Sequence, residues 1–453
     1  MKFSVIIPAY NRALQLMLTL TGFETQTYPM DQFEVIVVND GSTDDTLARL
    51  GQYQPPYRLQ TVSLTENTGR SAARNRGIAE AMGEYIIFCD PDFLVTPNFV
   101  SVHASYHQQH KNAVVSGVPH LFRIAYPHYY PNFSEEEKHA AVQVLQASGF
   151  WSDDYGYALE PVEIVTREDV LRQTGKLAQV AAPWEMTKQH FKEFSTTDVA
   201  PWLMSITRNL SLPKRSLQAA GGFNESFRKH GLEDWELGYR LHRQGCKFMT
   251  IEEIIGFHQE HPAGHRYEDP EKENLRLMYK EHGFSDPEIS MFAVLSPSEG
   301  VEDYKNTLRI LKVLRKSRHK SFRHTAGLLR RALTRGAQLF YHQPDSPEYG
   351  HLKTSLKQAA ITANQLYAQP DFPNKFRSIK DLLYQTCRQL LPPAPRKPAR
   401  RRASGSSRLR ARRLGDNRSK VRRTRTRRPG AYRTVPGKFT SPGRKTQRRR
   451  SRG

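Results

Sequence analysis

Three apolar runs mark the first 90 positions, and each stops abruptly at polar residues. They are Phe3-Ser-Val-Ile-Ile-Pro-Ala-Tyr10, Glu34-Val-Ile-Val-Val-Asn-Asp40 and Tyr85-Ile-Ile-Phe-Cys-Asp90. Runs of this kind, with helical pattern between them, predict buried strands of a parallel α/β sheet. Ligands of such sheets sit at the carboxyl ends of the strands. Those ends supply the turn Pro8-Ala-Tyr10, the acid Asp40 with Gly41-Ser-Thr-Asp-Asp45 behind it, and Asp90-Pro91-Asp92. A turn, an acidic group and an Asp-x-Asp pair together suit a nucleotide diphosphate held with a divalent metal.

The pattern continues downstream. Glu233-Asp234 precede Trp235-Glu-Leu-Gly-Tyr-Arg-Leu241, which reads as a helix with acids at its start, where the dipole favours them. Strand-like Phe248-Met-Thr-Ile251 and Ile254-Ile-Gly-Phe257 lead to His258, with His261 and His265 after it. Tyr304, Leu308, Leu311 and Leu314, then Leu333, Ala337 and Phe340, recur at helical steps. The same stretch, 304–344, carries 11 Lys and Arg and no acid. It reads either as amphipathic helices packed on the preceding unit or as a basic face for a membrane or an anionic acceptor. Helical pattern resumes from Leu352 to Leu391 and ends at Pro392-Pro393.

Charge sharpens this organisation. Residues 396–453 hold 24 Lys and Arg against one acid, Asp416, which accounts for the whole net charge of +23. Residues 1–303 are acidic, with 27 bases and 40 acids. The tail is Arg, Ser, Thr, Pro and Gly with almost nothing apolar, so it is expected to be disordered. It reads either as a solvated polycation or as an electrostatic tether to nucleic acid, anionic lipid or a phosphate-rich wall polymer. Only Tyr432 and Phe439 interrupt it, which disfavours a base-stacking single-strand binder.

A chain of 453 residues exceeds one core and predicts two domains plus extensions. Cys89, Cys246 and Cys387 are widely spaced, with no CxxC, and read as free thiols of a reducing cytosol. No apolar stretch approaches the roughly 18 residues of a membrane span, and the first strand begins at once, so neither a span nor a signal peptide is expected.

The motifs resemble, in order, those of the family 2 glycosyltransferases with the GT-A fold. The matching pieces are Ser4-Val-Ile-Ile-Pro-Ala-Tyr-Asn-Arg12, Glu34-Val-Ile-Val-Val-Asn-Asp-Gly-Ser-Thr-Asp44 and Asn67-Thr-Gly-Arg-Ser-Ala-Ala-Arg-Asn-Arg-Gly77. Asp90-Pro-Asp92, Asn209-Leu-Ser211, Gly221-Gly-Phe-Asn-Glu225 and Gly231-Leu-Glu-Asp-Trp-Glu-Leu-Gly-Tyr-Arg240 follow. The resemblance covers residues 3–282. It implies a Rossmann-like catalytic domain over 1–282, with a helical basic region over 283–393 and the Arg-rich tail over 394–453. A stretch at about 118–205 is longer than in compact members and carries Tyr126-Pro-His-Tyr-Tyr-Pro-Asn-Phe133 and Phe150-Trp-Ser-Asp-Asp-Tyr155. Its aromatics suit stacking on sugar rings, a lid or a protein contact, and the stretch is assigned to the acceptor side.

Each motif has a physical reading beside the resemblance. Pro8 and Tyr10 can present backbone groups and an aromatic face to a flat base, or simply terminate the strand. Asp40 can accept the imide N–H of uracil, or cap the next helix, a role open to Asp44 and Asp45 as well. The resemblance places Asn67 and Arg74 near the nucleotide and its phosphates, with Arg70 as a helper or a surface residue. Asp90 and Asp92 can hold a hard cation against two phosphates, and the family pattern favours Asp92 as the direct ligand. His258 corresponds to a histidine that completes the metal shell in several relatives, or is a structural histidine. Sugar transfer with inversion needs a carboxylate at the acceptor hydroxyl, and the family's Glu-Asp motif makes Asp234 that base, with Glu233 holding the acceptor or orienting the loop.

The expectation is therefore an inverting enzyme of the cytoplasm, either free there or peripheral at the inner membrane face with 304–344 and 396–453 as the anchor. It would use Mn2+ or Mg2+ and a UDP-sugar, with a dTDP-sugar second, and a glycan or cell-envelope acceptor. The competing reading is a protein that kept the nucleotide-sugar fold without turnover and acts through its polycationic tail on nucleic acid or another polyanion.

Overall fold

The computed structural model describes residues 1–117, 123–183, 188–262 and 270–392. His265 and the basic tail lie outside the described residues. The strands in chain order are β1 (Phe3–Ala9), β2 (Phe33–Asp40), β3 (Arg58–Leu64), β4 (Tyr85–Cys89), β5 (Phe93–Val95), β6 (Ala113–Ser116) and β7 (Arg123–Ala125). After these come β8 (His128–Tyr129), β9 (Val162–Glu163), β10 (Ala181–Pro183), β11 (Asn209–Pro213), β12 (Lys247–Thr250) and β13 (Gly256–Gln259). A seven-stranded sheet has the order β12-β6-β11-β4-β1-β2-β3, a second sheet β10-β7-β13-β5, and β8 pairs with β9. In the large sheet β1, β2, β3 and β4 run parallel, and β11 alone is antiparallel to its neighbours β4 and β6. The three strands read from the apolar runs are present and adjacent. The edge strand β3 was not legible as a run, because its residues alternate between half-buried and exposed.

Both faces of the sheet are covered, which is why its central strands are continuously apolar. Val5, Ile7, Val35 and Val37 join Leu16, Leu20 and Phe23 of helix α1 (Ala13–Glu24) in one core. Ile6, Ile36, Val38, Ile86 and Phe88 belong to the opposite core, with Ala73 and Ile78 of helix α3 (Arg70–Glu80), which follows the short helix α2 (Thr46–Gln52). Helix α3 lies close to the sheet because residue 77 is glycine. A Cβ there would stand 2.5 Å from Ile6 Cγ2.

The second core continues into the C-terminal helices. Trp202 stacks on Phe292 at 5.9 Å, and Tyr304, Leu308, Leu311 and Leu314 of the helix Pro297–Lys316 are buried in it. The helical rhythm read from these residues is thus a packing rhythm. Their basic companions are partly consumed by the fold. Lys305 is fully buried and donates to the carbonyls of Glu193 and Thr196 at 2.7 and 2.8 Å. Burial lowers its pKa to about 8. Arg309 binds Glu193 and Asp198, and Lys312 reaches the Asp198 carbonyl. Lys305 and Arg309 are thereby tied into the fold, while Lys312 stays exposed. No helix of the described residues is long and apolar enough to cross a membrane.

The first aromatic group of the long stretch packs inward, while Phe150, Trp151 and Tyr155 are half-buried. Tyr126, Tyr129, Tyr130 and Phe133 are buried in a small separate core with Ala141 and Leu145. Tyr129 makes edge contacts with Trp151 at 5.3 Å. Rings of this size stabilise more by burial than by waiting exposed.

Beneath the sheet, β11 meets the helix Phe99–Gln109 through hydrogen bonds. His103 contacts Ser211 Oγ at 2.7 Å and Asn209 Oδ1 at 2.8 Å, and His107 contacts the same Ser211 oxygen at 2.7 Å. This accounts for the Asn209-Leu-Ser211 motif in structural terms. Burial depresses the pKa of His103 to about 4 and of His107 to about 3. A histidine held neutral in the fold but free to protonate when unfolded, near its ordinary pKa of about 6.5, makes stability fall as pH drops. Urea denaturation between pH 8 and pH 4 is expected to show stability flat above about 6.5 and declining below it. In His103→Gln the decline should be shallower, and an unchanged slope would contradict the assignment.

Candidate active site

The carboxyl ends of β1, β2 and β4 open on a cleft of about 610 Å³. Pro8, Tyr10, Asp40, Asn67, Arg70, Asp90 and Asp92 all line it, as do Asn11, Arg12 and Arg228. Tyr10 is 43% exposed at its mouth. Asn11, with φ of +50°, organises the wall. Its side-chain oxygen accepts from the amides of Thr43 and Asp44 at 2.8 and 3.3 Å, tying the β1 turn to the β2 turn. Asp44 accepts from the amides of Thr46 and Ala13, so it serves the starts of two helices. The capping alternative for Asp40 is therefore filled by Asp44.

Asp40 instead holds the next loop. Its Oδ1 accepts from the amide and hydroxyl of Thr68, both at 2.8 Å, and its Oδ2 from the Gly69 amide at 3.0 Å. A carboxylate has about four lone-pair sites, so one on Oδ2 stays open toward the cleft. Gly69 has φ of +94°, and a Cβ there would meet the Arg228 carbonyl at 3.0 Å. The glycine thus lets two cleft-lining segments approach.

The two carboxylates of Asp90-Pro91-Asp92 part company. Asp90 faces Arg74 Nη2 at 3.5 Å and Arg208 Nε at 3.7 Å. Asp92 faces His258 Nδ1 at 3.5 Å and His261 Nε2 at 3.1 Å. Among the described residues Asp92, His258 and His261 form the one cluster able to hold a metal ion, with ligand atoms within 4.8 Å of one another. Asp90 lies outside that group and is turned to the guanidinium groups. His261, noticed in the sequence only as part of a histidine run, belongs to it. Strand β13 pairs antiparallel with β5, which sets His258 opposite Phe93 and next to Asp92.

The donor set fits a cation on its own chemistry. Asp92 Oδ1 is buried and accepts no hydrogen bond. His261 Nδ1 lies 3.0 Å from the Pro262 carbonyl, which can only accept, so that nitrogen carries the proton. Nε2 then turns either a second proton or a lone pair toward the Asp92 carboxylate, and a metal satisfies the latter. Desolvation opposes ionisation of Asp92, but His258, His261 and Arg208 outweigh it and hold the carboxyl well below its usual range.

Glu233 and Asp234 start the helix Glu233–Arg243. Asp234 accepts from the Trp235 amide at 2.8 Å and from the Thr207 amide at 3.4 Å. Desolvation and the adjacent Glu233 charge push its pKa up to about 7. Glu233 is buried. Desolvation resists its ionisation, but Arg74, His230 and Arg70 together prevail and lower its pKa. Arg74, expected at the phosphates, is only 1% exposed and is absent from the cleft wall. Its Nη1 lies 3.2 Å from Glu233 Oε1, and its guanidinium covers the Phe223 ring at 5.4 Å. Arg70, by contrast, is exposed and meets His230 at 2.7 Å. Arg208 and Arg228 escaped the sequence reading. Their signal was present only as basic residues beside the Asn209 and Gly221–Glu225 motifs.

Comparison with known proteins gives this site a family. A family profile described as glycosyl transferase family 2 matches residues 4–155, and one described as the N-terminal domain of galactosyltransferase matches 204–263. YfnE of Bacillus subtilis, an uncharacterized glycosyltransferase, is 31% identical over 279 residues, covering 61% of this chain and 70% of that protein. Validoxylamine A glucosyltransferase of Streptomyces hygroscopicus is 32% identical over 271 residues, and the match spans 58% of this chain and 56% of that one. A crystal structure of S. aureus TarS 1-349 in complex with UDP-GlcNAc covers 86% of this chain and 92% of that one, at 17% identity and a TM-score of 0.41, a likeness too loose to carry an argument. The ordered motifs and a relative aligned over most of its own length agree, and the chain belongs to glycosyltransferase family 2.

Proposed function

We propose that this chain is an inverting, metal-dependent enzyme that moves a sugar from a UDP-sugar to a hydroxyl of a glycan or cell-envelope acceptor. The observation that carries the reading is the Asp92–His258–His261 group at the edge of a cleft lined by Pro8, Tyr10 and Asp40. Tyr10 offers the base an aromatic face, and the open site on Asp40 can accept a uracil imide N–H. Asn67, Arg70 and Arg228 supply donors and positive charge along the same wall.

Asp92, His258 and His261 would hold a divalent cation, whose chemistry is to neutralise charge on the departing diphosphate. Two imidazoles beside one carboxylate favour a transition ion such as Mn2+ over Mg2+, which prefers oxygen ligands. Asp234 takes the proton of the incoming hydroxyl. A base works best with a pKa near the operating pH, and the desolvation of Asp234, with the Glu233 charge beside it, supplies that. Peripheral attachment at an anionic surface forms part of the proposal. The exposed cations of residues 304–344 are Lys312, Arg315, Lys316, Arg318, Lys320, Arg323, Arg330 and Arg331, most of them around the turn between two helices, with the basic tail further along the sequence.

Release of UDP from a panel of UDP-sugars, with and without Mn2+, tests the reading. Asp234→Asn and Asp92→Ala are each expected to lower the rate by about 100-fold or more. Only Asp92→Ala should also weaken UDP binding in the presence of Mn2+. Near-normal transfer by Asp234→Asn would refute the base assignment.

The pH profile is a second test. The ionised form of Asp234 is the active one and its pKa is raised, so kcat should fall as pH drops through about 7. Below that point the fall approaches about tenfold per pH unit. A profile flat down to pH 5 would mean that another group accepts the proton.

A further inference from the structure

We infer that Arg74 is a positioning residue, a buried brace that ties Asp90 at the donor cleft to Glu233 at the head of the base-bearing helix. The inference rests on the proposed function for its activity readout and on geometry for everything else. The two carboxylates come from distant parts of the chain, one ending β4 and the other opening the helix Glu233–Arg243. The Arg74 guanidinium stands between them, 3.5 Å from Asp90 Oδ1 and 3.2 Å from Glu233 Oε1. A planar fork can engage two carboxylates at once in a fixed relation, and a single ammonium cannot.

The brace is itself held rigid. Helix α3 carries Arg74, and Asn75 beside it grips the Phe223 backbone at both ends. Asn75 Nδ2 donates to the Phe223 carbonyl at 2.9 Å, and the Phe223 amide donates to Asn75 Oδ1 at 2.8 Å. Phe223 is thereby fixed under the guanidinium at 5.4 Å. One turn earlier, Ser71 Oγ donates to the Phe227 carbonyl at 3.0 Å. These bonds stitch α3 to the segment that leads into Gly231, whose amide donates to Glu233 Oε2 at 2.9 Å. Arg74 Nε is buried and has no hydrogen-bond partner, so the guanidinium is placed by its two carboxylates and the ring rather than by a full set of local bonds. An arginine recruited to bind phosphate would face the cleft. This one faces the seam between its two halves.

Arg74→Met, Arg74→Lys and the double variant Arg74→Met/Glu233→Gln, all in the full chain, test the brace. Displacing a base by about 1 Å costs on the order of 100-fold in rate, so Arg74→Met should lower kcat of Mn2+-dependent UDP release by about that factor. UDP affinity measured calorimetrically with Mn2+ should stay within about threefold, the mark of a group that acts on the reacting geometry and not on donor binding. Arg74→Lys should recover little of the rate. Arg74→Met leaves Glu233 buried without its largest counter-charge and should melt lower, and adding Glu233→Gln should restore the melting temperature without restoring kcat. If UDP affinity falls in proportion to kcat, Arg74 is a phosphate ligand. If folded Arg74→Met or Arg74→Lys turns over normally, Arg74 serves the fold alone. Either result overturns the inference. A wild-type chain that releases no UDP from any UDP-sugar instead sinks the proposed function. In that case the melting comparison still judges the contact, and failure of the double variant to recover would refute the brace.

Discussion

Parallel strands deliver their carboxyl ends to one edge, and the rest of this molecule is arranged around that constraint. β1 pairs in register with β2, Pro8 opposite Val38, and with β4, Ile6 opposite Phe88. Three turns from separate parts of the chain therefore emerge side by side, beyond the last ladder hydrogen bonds. Their polar groups must find other partners, and they find one another through Asn11, Asp44 and Asp40. The antiparallel strand β11 adds to the same edge by the opposite route. It begins where β4 ends, with Asn209 paired to Cys89, so its preceding residues arrive at the cleft as well. Arg208 thus stands near Asp90, and the Thr207 amide reaches Asp234.

The gathering of four carboxylates at this edge creates an electrostatic problem, and the structure answers it by division. Asp90 and Glu233 share Arg74, while Asp92 is turned to two imidazoles. Asp234 receives no cation of its own, and desolvation together with the ionised Glu233 beside it pushes its pKa up to about 7. Neighbouring acids in unequal surroundings acquire unequal affinities for protons, and that inequality is what would let Asp234 take up a proton near neutrality, as proposed above.

Much of this was legible in the sequence, in proportion to how local the physics was. Apolar runs ending at Ala9, Asp40 and Cys89 announced the strands, because burial on both faces leaves no choice of residue. The rhythm of Tyr304, Leu308 and Leu311 announced a packed helix for the same reason. What could not be read depended on partners far away in the chain. The burial of Arg74 follows from Glu233 and Phe223, each about 150 residues distant, so the motif around it says only that it is near the site. The division of Asp90 from Asp92 depends on Arg208 and His261. The aromatics from Tyr126 to Phe133 were open to several readings because composition does not tell a ring that waits for a ligand from one that fills a core.

The C-terminal helices belong to the argument about the site as much as to the argument about the fold. Trp235, next to Asp234, donates from its indole to the Leu203 carbonyl at 2.8 Å and meets the Phe292 ring edge-on at 5.9 Å. Phe292 in turn stacks on Trp202 and contacts Tyr304 at 5.7 Å. The helix Glu233–Arg243 is therefore gripped near its start from two directions, by Arg74 on the cleft side and by this aromatic group on the other. Each contact limits a different motion. The ion pairs oppose sliding of the helix head away from the cleft, and the indole packing opposes its rotation. A carboxylate whose usefulness depends on reaching one hydroxyl gains from both constraints, since error in either coordinate is paid in rate. On this view the helical region after residue 282 is part of what would aim the proposed base, whatever its exposed cations bind.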